Sequence, residues 1–116
     1  MLPVARRLSS GTDIRDVVRR GSRASSGVVT VHLLLSTSEE VRPARAGVVV
    51  GRKVGNSVVR HRVQRRLRHL LIPHVDQLPS GAALVVRPQP AAATASSSEL
   101  GGDLDRALRK VQGGQR

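Results

Sequence analysis

The feature that most restricts the fold is a run of positive charge at residues 51–68. The run holds seven basic side chains and no Asp or Glu, and residues 41–75 also lack acidic side chains. Solvated helix faces usually mix both signs and pair them at i,i+4, whereas like charges on one segment repel each other. A polyanion would relieve that repulsion. The run therefore predicts a nucleic-acid-binding element, with an ordinary solvated helix face as the alternative.

Within this run the apolar residues have helical spacing. They cover one side of a helix that can pack on a sheet: Val59, Val63, Leu67, Leu70 and Leu71. On another side lies an outward-facing arginine ridge, formed by Arg62, Arg65, Arg66 and His69. Two further arginines lie outside the ridge, Arg60 and Arg68. Asn56 or Ser57 can cap the helix, and Pro73 is expected to end it near Leu71.

Before this helix the pattern predicts another helix and three strands. The first helix covers residues 13–20, with Ser9, Ser10 or Thr12 as its cap. Residues 21–27 are expected to form a turn or an edge strand. The side chains of residues 28–35 alternate between two largely apolar faces, which favours a central strand. Residues 36–43 are interpreted as a solvated hairpin loop. A strand at residues 46–50 would then return antiparallel to the central strand.

After the long helix the pattern predicts one more strand and one more helix. Residues 82–87 form the strand, and residues 90–98 are a low-complexity connection. Ser96 and Glu99 can form a capping box that begins the last helix. The long helix would join two parallel strands, a connection that is normally right-handed.

Length and composition restrict the class of protein. The chain is expected to form a single domain over residues 1–116, with flexible ends at residues 1–8 and 113–116. Its 20 Lys and Arg against 8 Asp and Glu give a net charge of +12, which indicates a nucleic-acid partner. The complete lack of aromatic residues disfavours a membrane-surface helix. No apolar run is long enough to span a membrane and no signal peptide is apparent, so a soluble, cytoplasmic protein is expected.

No catalytic or metal-binding constellation is apparent in the sequence. Residues 47–57 contain three glycines and a lysine but lack the Gly-Lys-Ser/Thr ending of a P-loop. The four histidines have no cysteine to join them and no H-x-x-x-H pair, so metal ligation is not expected. The carboxylates are scattered along the chain, which predicts neither an acid/base pair nor a metal cluster. By its own residues the chain is expected to have no catalytic site.

The basic run also closely resembles a known signature. Residues 53–68 read KVGNSVVRHRVQRRLR, which resembles the bacterial ribonuclease P protein component. The signature of that family is a Lys-x-Gly-Asn turn, then Arg-Asn-Arg, then further basic residues on the same helix. The matching positions are Lys53, Gly55, Asn56, Arg60, Arg62, Arg65, Arg66 and Arg68. The resemblance extends over nearly the whole chain, and the length, element order and charge agree with it.

The resemblance implies both a fold and a function. The fold is α+β, with three helices and a small, mostly antiparallel sheet in the order α-β-β-β-α-β-α. It includes a left-handed βαβ crossover, which replaces the right-handed expectation. The function implied is that of the protein subunit of ribonuclease P. It binds a catalytic RNA and the 5′ leader of precursor tRNA, and it assists endonucleolytic removal of the leader. The RNA would carry the active-site Mg²⁺, and the protein would bind as a monomer in a 1:1 complex.

Two sets of contact residues follow from the resemblance. The residues expected to bind RNA are Arg52, Lys53, Asn56, Arg60, His61, Arg62, Arg65, Arg66, Arg68 and His69. A cleft between the first helix and the sheet would hold the single-stranded leader, lined by Ile14, Val17, Val18 and His32. No residue is expected to be catalytic or to bind a metal.

The chain departs from the family pattern at several positions. His61 replaces the asparagine between the two arginines, and it cannot offer the paired groups of an amide. Gln64 stands where the family often has lysine. Ile14 and Val18 stand where the family usually places aromatic rings, so leader binding is expected to be weaker and more sensitive to salt.

The sequence is also compatible with one alternative function. A non-catalytic RNA- or DNA-binding module, such as a small ribosomal-protein-like domain, would also carry a basic helix. The spacing from Lys53-x-Gly55-Asn56 to Arg60-x-Arg62 favours the ribonuclease P subunit, because a generic basic helix does not need it.

Overall fold

The computed structural model describes residues 6–113, which form three helices and one four-stranded sheet. In chain order the elements are α1 (Gly11–Arg20), β1 (Ser22–Ser26), β2 (Val29–Leu34), β3 (Arg45–Val48), α2 (Ser57–Val75), β4 (Ala83–Pro88) and α3 (Ser97–Gly113). Short 3₁₀ helices precede α2 at Arg52–Val54 and follow β4 at Pro90–Thr94. The expected α+β class and the order α-β-β-β-α-β-α are both confirmed.

The sheet has the strand order β1-β2-β4-β3. Strand β2 pairs antiparallel with β1 and with β4, while β3 pairs parallel with β4. The sheet is therefore mostly antiparallel, and β2 is central, as its two apolar faces predict. The edge strand suggested for residues 21–27 is β1.

The predicted hairpin between β2 and β3 is wrong. Strand β3 lies beyond β4 and does not pair with β2, so residues 36–43 are a connection across the sheet. Strand β4 takes the place beside β2 because it is buried on both faces, with Leu84, Val85 and Val86 fully covered. Alternating apolar residues show which face of a strand is buried but not which strand lies beside it. The parallel β3-α2-β4 crossover is present, and its left-handed sense stays a prediction.

Helix α2 does not end near Leu71, so this prediction was also wrong. It continues through Pro73 to Val75. Proline inside a helix costs about 3 kcal/mol. The i,i+4 pair of Leu71 and Val75 is fully buried in the core, and each such side chain contributes about 1.5–3 kcal/mol. Burial of the last turn therefore offsets the missing hydrogen bond.

Helices cover both faces of the sheet. On one face α2 and α3 enclose the main core with the inward side chains of the strands. On the other face α1 packs over one end of the sheet, where Val17, Leu8 and Val85 form a smaller second core. The rest of that second face remains open as a cleft.

The N-terminal segment is held more firmly than expected from residue 6 onward. Arg7 forms a parallel bridge with Ala46, and the Leu8 N–H donates to the Ala46 carbonyl at 2.9 Å. Leu8 is also buried in the second core. At the other end, Gly113 belongs to α3. The remaining parts of the predicted flexible ends, residues 1–5 and 114–116, lie outside the described residues.

Side-chain caps fix the start of each helix. Ser10 accepts from the Asp13 N–H and Asn56 accepts from the Val59 N–H. The capping box predicted before α3 is present: the Glu99 N–H donates to Ser96 Oγ at 3.0 Å, and Glu99 accepts from the Ser96 N–H at 3.3 Å. Within residues 6–113 no helix is both long and apolar enough to cross a membrane.

Candidate nucleic-acid interface

The arginine ridge lies on the side of α2 that faces away from the core. Arg65 and His69 are exposed, while Arg62 and Arg66 are half-buried. The Arg62 guanidinium donates to the Ala93 carbonyl at 3.1 Å, and Arg66 donates to the Ala95 carbonyl at 3.5 Å. In the described part of the chain none of the three ridge arginines pairs with a carboxylate. The ridge therefore offers uncompensated charge.

The two arginines outside the ridge have different surroundings. Arg60 is half-buried, and its Nε atom is buried without a hydrogen-bond partner among residues 6–113. Arg68 is exposed and lines a cavity of about 220 Å³ between α1, β3 and α2. Gln64, one turn before Arg68, lines the same cavity and donates to the Val48 carbonyl at 3.2 Å. Arg60 thus lies at the border of the apolar side, as the sequence indicates.

The turn before α2 carries further exposed basic residues. Arg52 and Lys53 lie in the 3₁₀ helix that precedes Gly55. Gly55 has φ +156°, and a Cβ atom there would lie 2.8 Å from Val59 Cγ1, so only glycine fits this close approach. The next residue, Asn56, then caps α2. Gly55 and Asn56 are thus local structural requirements for starting α2 directly behind two cations.

A cleft opens beside this turn, on the part of the sheet that α1 leaves uncovered. It has a volume of about 670 Å³. Its walls come from α1, from strands β1, β2 and β4, and from the turn before α2. Four basic residues line it: Arg23, Arg52, Lys53 and Arg87. Thr30 lies within it, and its hydroxyl oxygen contacts Ser25 Oγ at 2.8 Å and accepts from Gln89 at 3.2 Å. The cleft therefore combines polar strand residues with four cations.

His32 lies on the floor of this cleft. It is 5% exposed, and its Nδ1 atom is buried without a hydrogen-bond partner in the described residues. Burial lowers the pKa of His32 below its usual value, and the positive charges of Arg87 and Arg23 lower it further. The imidazole is therefore neutral at neutral pH, so the charge of the cleft comes from its arginines and its lysine.

The structure brings together only some of the residues expected to hold the leader. Val18 and His32 line the cleft. Val17 does not, because it is 2% exposed and packs in the second core. Ile14 does not line it either, since it faces the smaller cavity beside Arg68. The three residues share one stripe of α1, at i, i+3 and i+4. This stripe packs against the sheet, so Val17 is buried there, while Ile14 and Val18 border different openings.

The sequence pattern does not predict several residues of these surfaces. Arg23 pairs across the sheet with His32, and Arg87 pairs with Thr30, so both arginines join the cleft through strand register. No local signal reveals such pairing. Val58, in the first turn of α2, is 73% exposed beside His61 and Arg62. Its position outside the apolar stripe of α2 is the sequence signal for this exposure.

Within residues 6–113 no group of three His, Cys, Asp or Glu side chains is placed to hold a metal ion. Five of the eight carboxylates pair with basic side chains. Asp13, Asp16 and Asp76 pair with arginines, Asp103 pairs with Arg106, and Asp105 pairs with His74. The two surfaces offer positive charge and N–H donors, which are the groups that phosphate oxygens pair with.

Comparisons with known proteins identify the family. The family model described as Ribonuclease P matches residues 2–112. A ribonuclease P protein component of a Nocardioides species is 50% identical over 111 residues, covering 96% of this chain and 95% of that protein. The component of Streptomyces griseus is 45% identical over 120 residues, covering 98% of both chains.

Solved structures show the same fold. The RNase P protein of Staphylococcus aureus superposes with a TM-score of 0.78 at 20% identity, covering 90% of this chain and 94% of that one. The RNase P protein from Thermotoga maritima gives a TM-score of 0.75 at 20% identity, covering 90% and 96%. The resemblance carried by residues 53–68 is thus confirmed over nearly the whole length, and the chain belongs to the ribonuclease P protein family.

Proposed function

We propose that this protein subunit of ribonuclease P works through two adjoining RNA-binding surfaces. The arginine ridge and the turn before α2 would bind the catalytic RNA subunit, and the cleft would hold the 5′ leader of precursor tRNA. The observation that carries the proposal is the unpaired charge of the ridge. Among residues 6–113, Arg62, Arg65 and Arg66 project from one helix without a single carboxylate partner. RNA phosphates would supply the missing negative charge.

The shape of the ridge suits a structured RNA. Arginine side chains present planar forks that match phosphate oxygens. Half-burial of Arg62 and Arg66 fixes two of them, while exposed Arg65 and His69 can adjust. Exposed Val58 adds apolar contact for a ribose or a base edge. Such a mixed surface favours docking on one RNA shape over loose attachment to any polyanion.

The cleft suits a single strand. Its four cations can follow a phosphate backbone, and the Thr30 and Gln89 side chains can bond to bases or ribose. Since the chain has no Phe, Tyr or Trp and the His32 ring is only 5% exposed, the cleft offers almost no ring surface for base stacking. Leader affinity therefore depends on phosphate contacts and on aliphatic contact with Val18, which supports weaker and more salt-sensitive binding than a cleft with rings.

The same proposal assigns the chemistry to the RNA. Mg²⁺ ions bound with the catalytic RNA would activate the attacking water and stabilise the leaving oxygen. The protein would position the substrate by holding its leader. We also propose that it acts in the cytoplasm as a monomer, in a 1:1 complex with the RNA.

The deciding experiment measures cleavage of precursor tRNA by the matching catalytic RNA at low magnesium, with and without the protein. We expect the protein to increase cleavage there, because its cations replace part of the charge neutralisation that magnesium supplies at higher concentration. The variant Arg62→Ala/Arg66→Ala should lose most of this increase. Arg109→Ala/Lys110→Ala, which removes the same charge from α3, should retain it. No increase with the unaltered protein would overturn the proposed function.

A further inference from the structure

The segment after β4 lies directly against the arginine ridge. Residues 90–95, hereafter the strap, form the 3₁₀ helix Pro90–Thr94 and the residue that follows it. In the sequence these residues are a low-complexity, alanine-rich connection without charge. In the structure they contact both α2 and the 3₁₀ helix Arg52–Val54. The strap thus touches both parts of the surface proposed to bind the catalytic RNA.

The strap is packed against the main core. Ala92 is completely buried, Ala95 is buried, and Ala93 packs against the main core. Backbone hydrogen bonds from Ala92 N to Gln89 O at 2.9 Å and from Ala95 N to Ala92 O at 3.3 Å hold its turns. Small side chains allow this close packing. The strap is therefore a fixed element on the core and not a loose linker.

Two of its carbonyl oxygens point at the ridge. The Ala93 carbonyl accepts from Arg62 Nη2 at 3.1 Å, and the Ala95 carbonyl accepts from Arg66 Nη1 at 3.5 Å. Each guanidinium has five N–H groups, so one bond to the strap leaves donors available for phosphate. Arg65 receives no such bond among the described residues, and it is exposed. The strap thus holds two ridge arginines and leaves the one between them unheld.

These contacts have a physical consequence for binding. Arg62 and Arg66 are like charges at i,i+4, which repel each other, and long side chains lose rotamer freedom when they bind. Carbonyl dipoles next to the two guanidinium groups reduce the repulsion. The hydrogen bonds also select one rotamer of each arginine before RNA arrives, so less entropy is lost on binding.

We infer that the strap is a positioning element that preorganises Arg62 and Arg66 for the catalytic RNA. This inference rests on the proposed function of the ridge. The strap acts through the two arginines and supplies no charge of its own. It also ties the ridge to the cleft, because Pro90 lines the cleft at the other end of the same segment.

The test loosens the strap without removing its buried residues. Pro90 and Ala91 are exposed, so Pro90→Gly/Ala91→Gly increases backbone freedom and leaves Ala92 and Ala95 in the core. The matched control is Val41→Gly/Pro43→Gly, which makes a comparable change at two exposed positions of the connection between β2 and β3. Thermal unfolding of each variant establishes that it is folded before RNA is added.

The readout is the affinity for the matching catalytic RNA in three backgrounds. With all arginines present, loosening the strap should weaken binding by about twofold to tenfold for each released arginine. In the Arg62→Ala/Arg66→Ala background the same change should have almost no effect. In the Arg65→Ala background, loosening the strap should weaken RNA binding as much as it does with all arginines present. The control pair should leave affinity unchanged in every background.

A second variant keeps the test decisive if glycine disturbs folding. Arg62→Lys/Arg66→Lys retains both charges but replaces the fork by a single ammonium group, which cannot bond to a carbonyl and to phosphate in the same geometry. Its binding should be weaker, with an unchanged dependence on salt, because the number of charges is the same.

Equal effects of strap loosening in all three backgrounds, or none with all arginines present, would overturn the inference. So would an Arg62→Lys/Arg66→Lys variant that binds as tightly as the unaltered protein. Failure of the unaltered protein to bind the RNA would instead overturn the proposed function, so the two failures are distinguishable.

Discussion

His32 is a neutral group at the centre of a cationic cleft. Its Nδ1 atom is buried without a partner in the described residues, and two arginines lie close enough to disfavour its protonation. A protonated imidazole there would add a fifth positive charge to the four already lining the cleft. Burial of the imidazole, and then its repulsion by Arg87 and Arg23, lower the pKa of His32 and make the folded state sensitive to acid.

The first prediction concerns stability between neutral and mildly acidic pH. Unfolded His32 takes up a proton near pH 6.5, whereas the folded side chain does so only at lower pH. The unfolded state therefore binds more protons between the two values, and the free energy of unfolding falls as pH drops below about 6.5. His32→Gln should make this decline shallower, as measured by urea unfolding from pH 7 to pH 5. Identical pH dependence in both proteins would contradict the assignment.

The second prediction concerns Val18 and the missing aromatic rings. Val18 faces the cleft, so Val18→Phe should allow one leader base to stack, which contributes about 1–3 kcal/mol. Ile14 faces the other cavity, and Ile14→Phe should change leader affinity by no more than about twofold. The measurement is the affinity for precursor tRNA with and without a leader. An increase in leader affinity with Ile14→Phe alone, or with neither variant, would contradict the assignment of Val18 to the leader cleft.

At the scale of elements, local signals predicted most of the structure. The apolar stripe and the Asn56 cap predicted α2, and Ser96 with Glu99 predicted α3. The prediction that failed was which strand lies beside which in the sheet. The position of β3 depends on a contact with β4, far along the chain, and the cleft depends on register between three strands. No local pattern contains that information.

The strap and Pro73 illustrate the same limit. An alanine-rich segment gives no sign that its carbonyl oxygens will meet two arginines, because those contacts come from the backbone. Pro73 is a reliable helix breaker in isolation, yet burial of Val75 continues α2 beyond it. The basic residues of α2 could be identified from sequence, while their fixed orientation could not.

The third prediction concerns how α3 holds the turn between β1 and β2. Asp103 accepts from the Val28 N–H at 3.0 Å and pairs with Arg106, which in turn donates to Ser26 Oγ. Gly27 makes this possible, since it has φ +54° and any Cβ atom would overlap the Asp103 carboxylate. Asp103→Ala should lower the free energy of unfolding by about 1–3 kcal/mol, because it leaves a backbone donor unpaired.

Chemical unfolding at neutral pH checks this value. The control is Glu39→Ala, an exposed residue of the connection between β2 and β3 with the same charge change, which should shift stability by less than about 0.5 kcal/mol. The bond from Val28 and the charge of Arg106 lower the pKa of Asp103 despite its partial burial. Its contribution is therefore fully present above about pH 4 and disappears as pH falls through the folded value. A variant with an unchanged acid transition would contradict this role.

At the scale of the whole molecule, the acidic residues are placed so that they do not neutralise the ridge. Five of the eight pair with an arginine or a histidine outside it, and Glu99 caps α3. The net charge of +12 is therefore not spread evenly. It is concentrated on α2, on the turn before it and in the cleft, where a polyanion would reduce the repulsion most.

The last prediction follows from this concentration. If Arg62 and Arg66 bind phosphates, Arg62→Ala/Arg66→Ala should reduce the slope of log affinity against log salt by about 0.7–0.9 for each phosphate that the variant no longer binds. The variant Arg109→Ala/Lys110→Ala has the same net charge, so any effect of total charge appears equally in both. Binding of the catalytic RNA is measured over a series of monovalent salt concentrations. A reduced slope in the α2 variant alone places the ridge against RNA. An equal reduction in both variants would show that only net charge matters, and an unchanged slope in both would show that the ridge faces solvent.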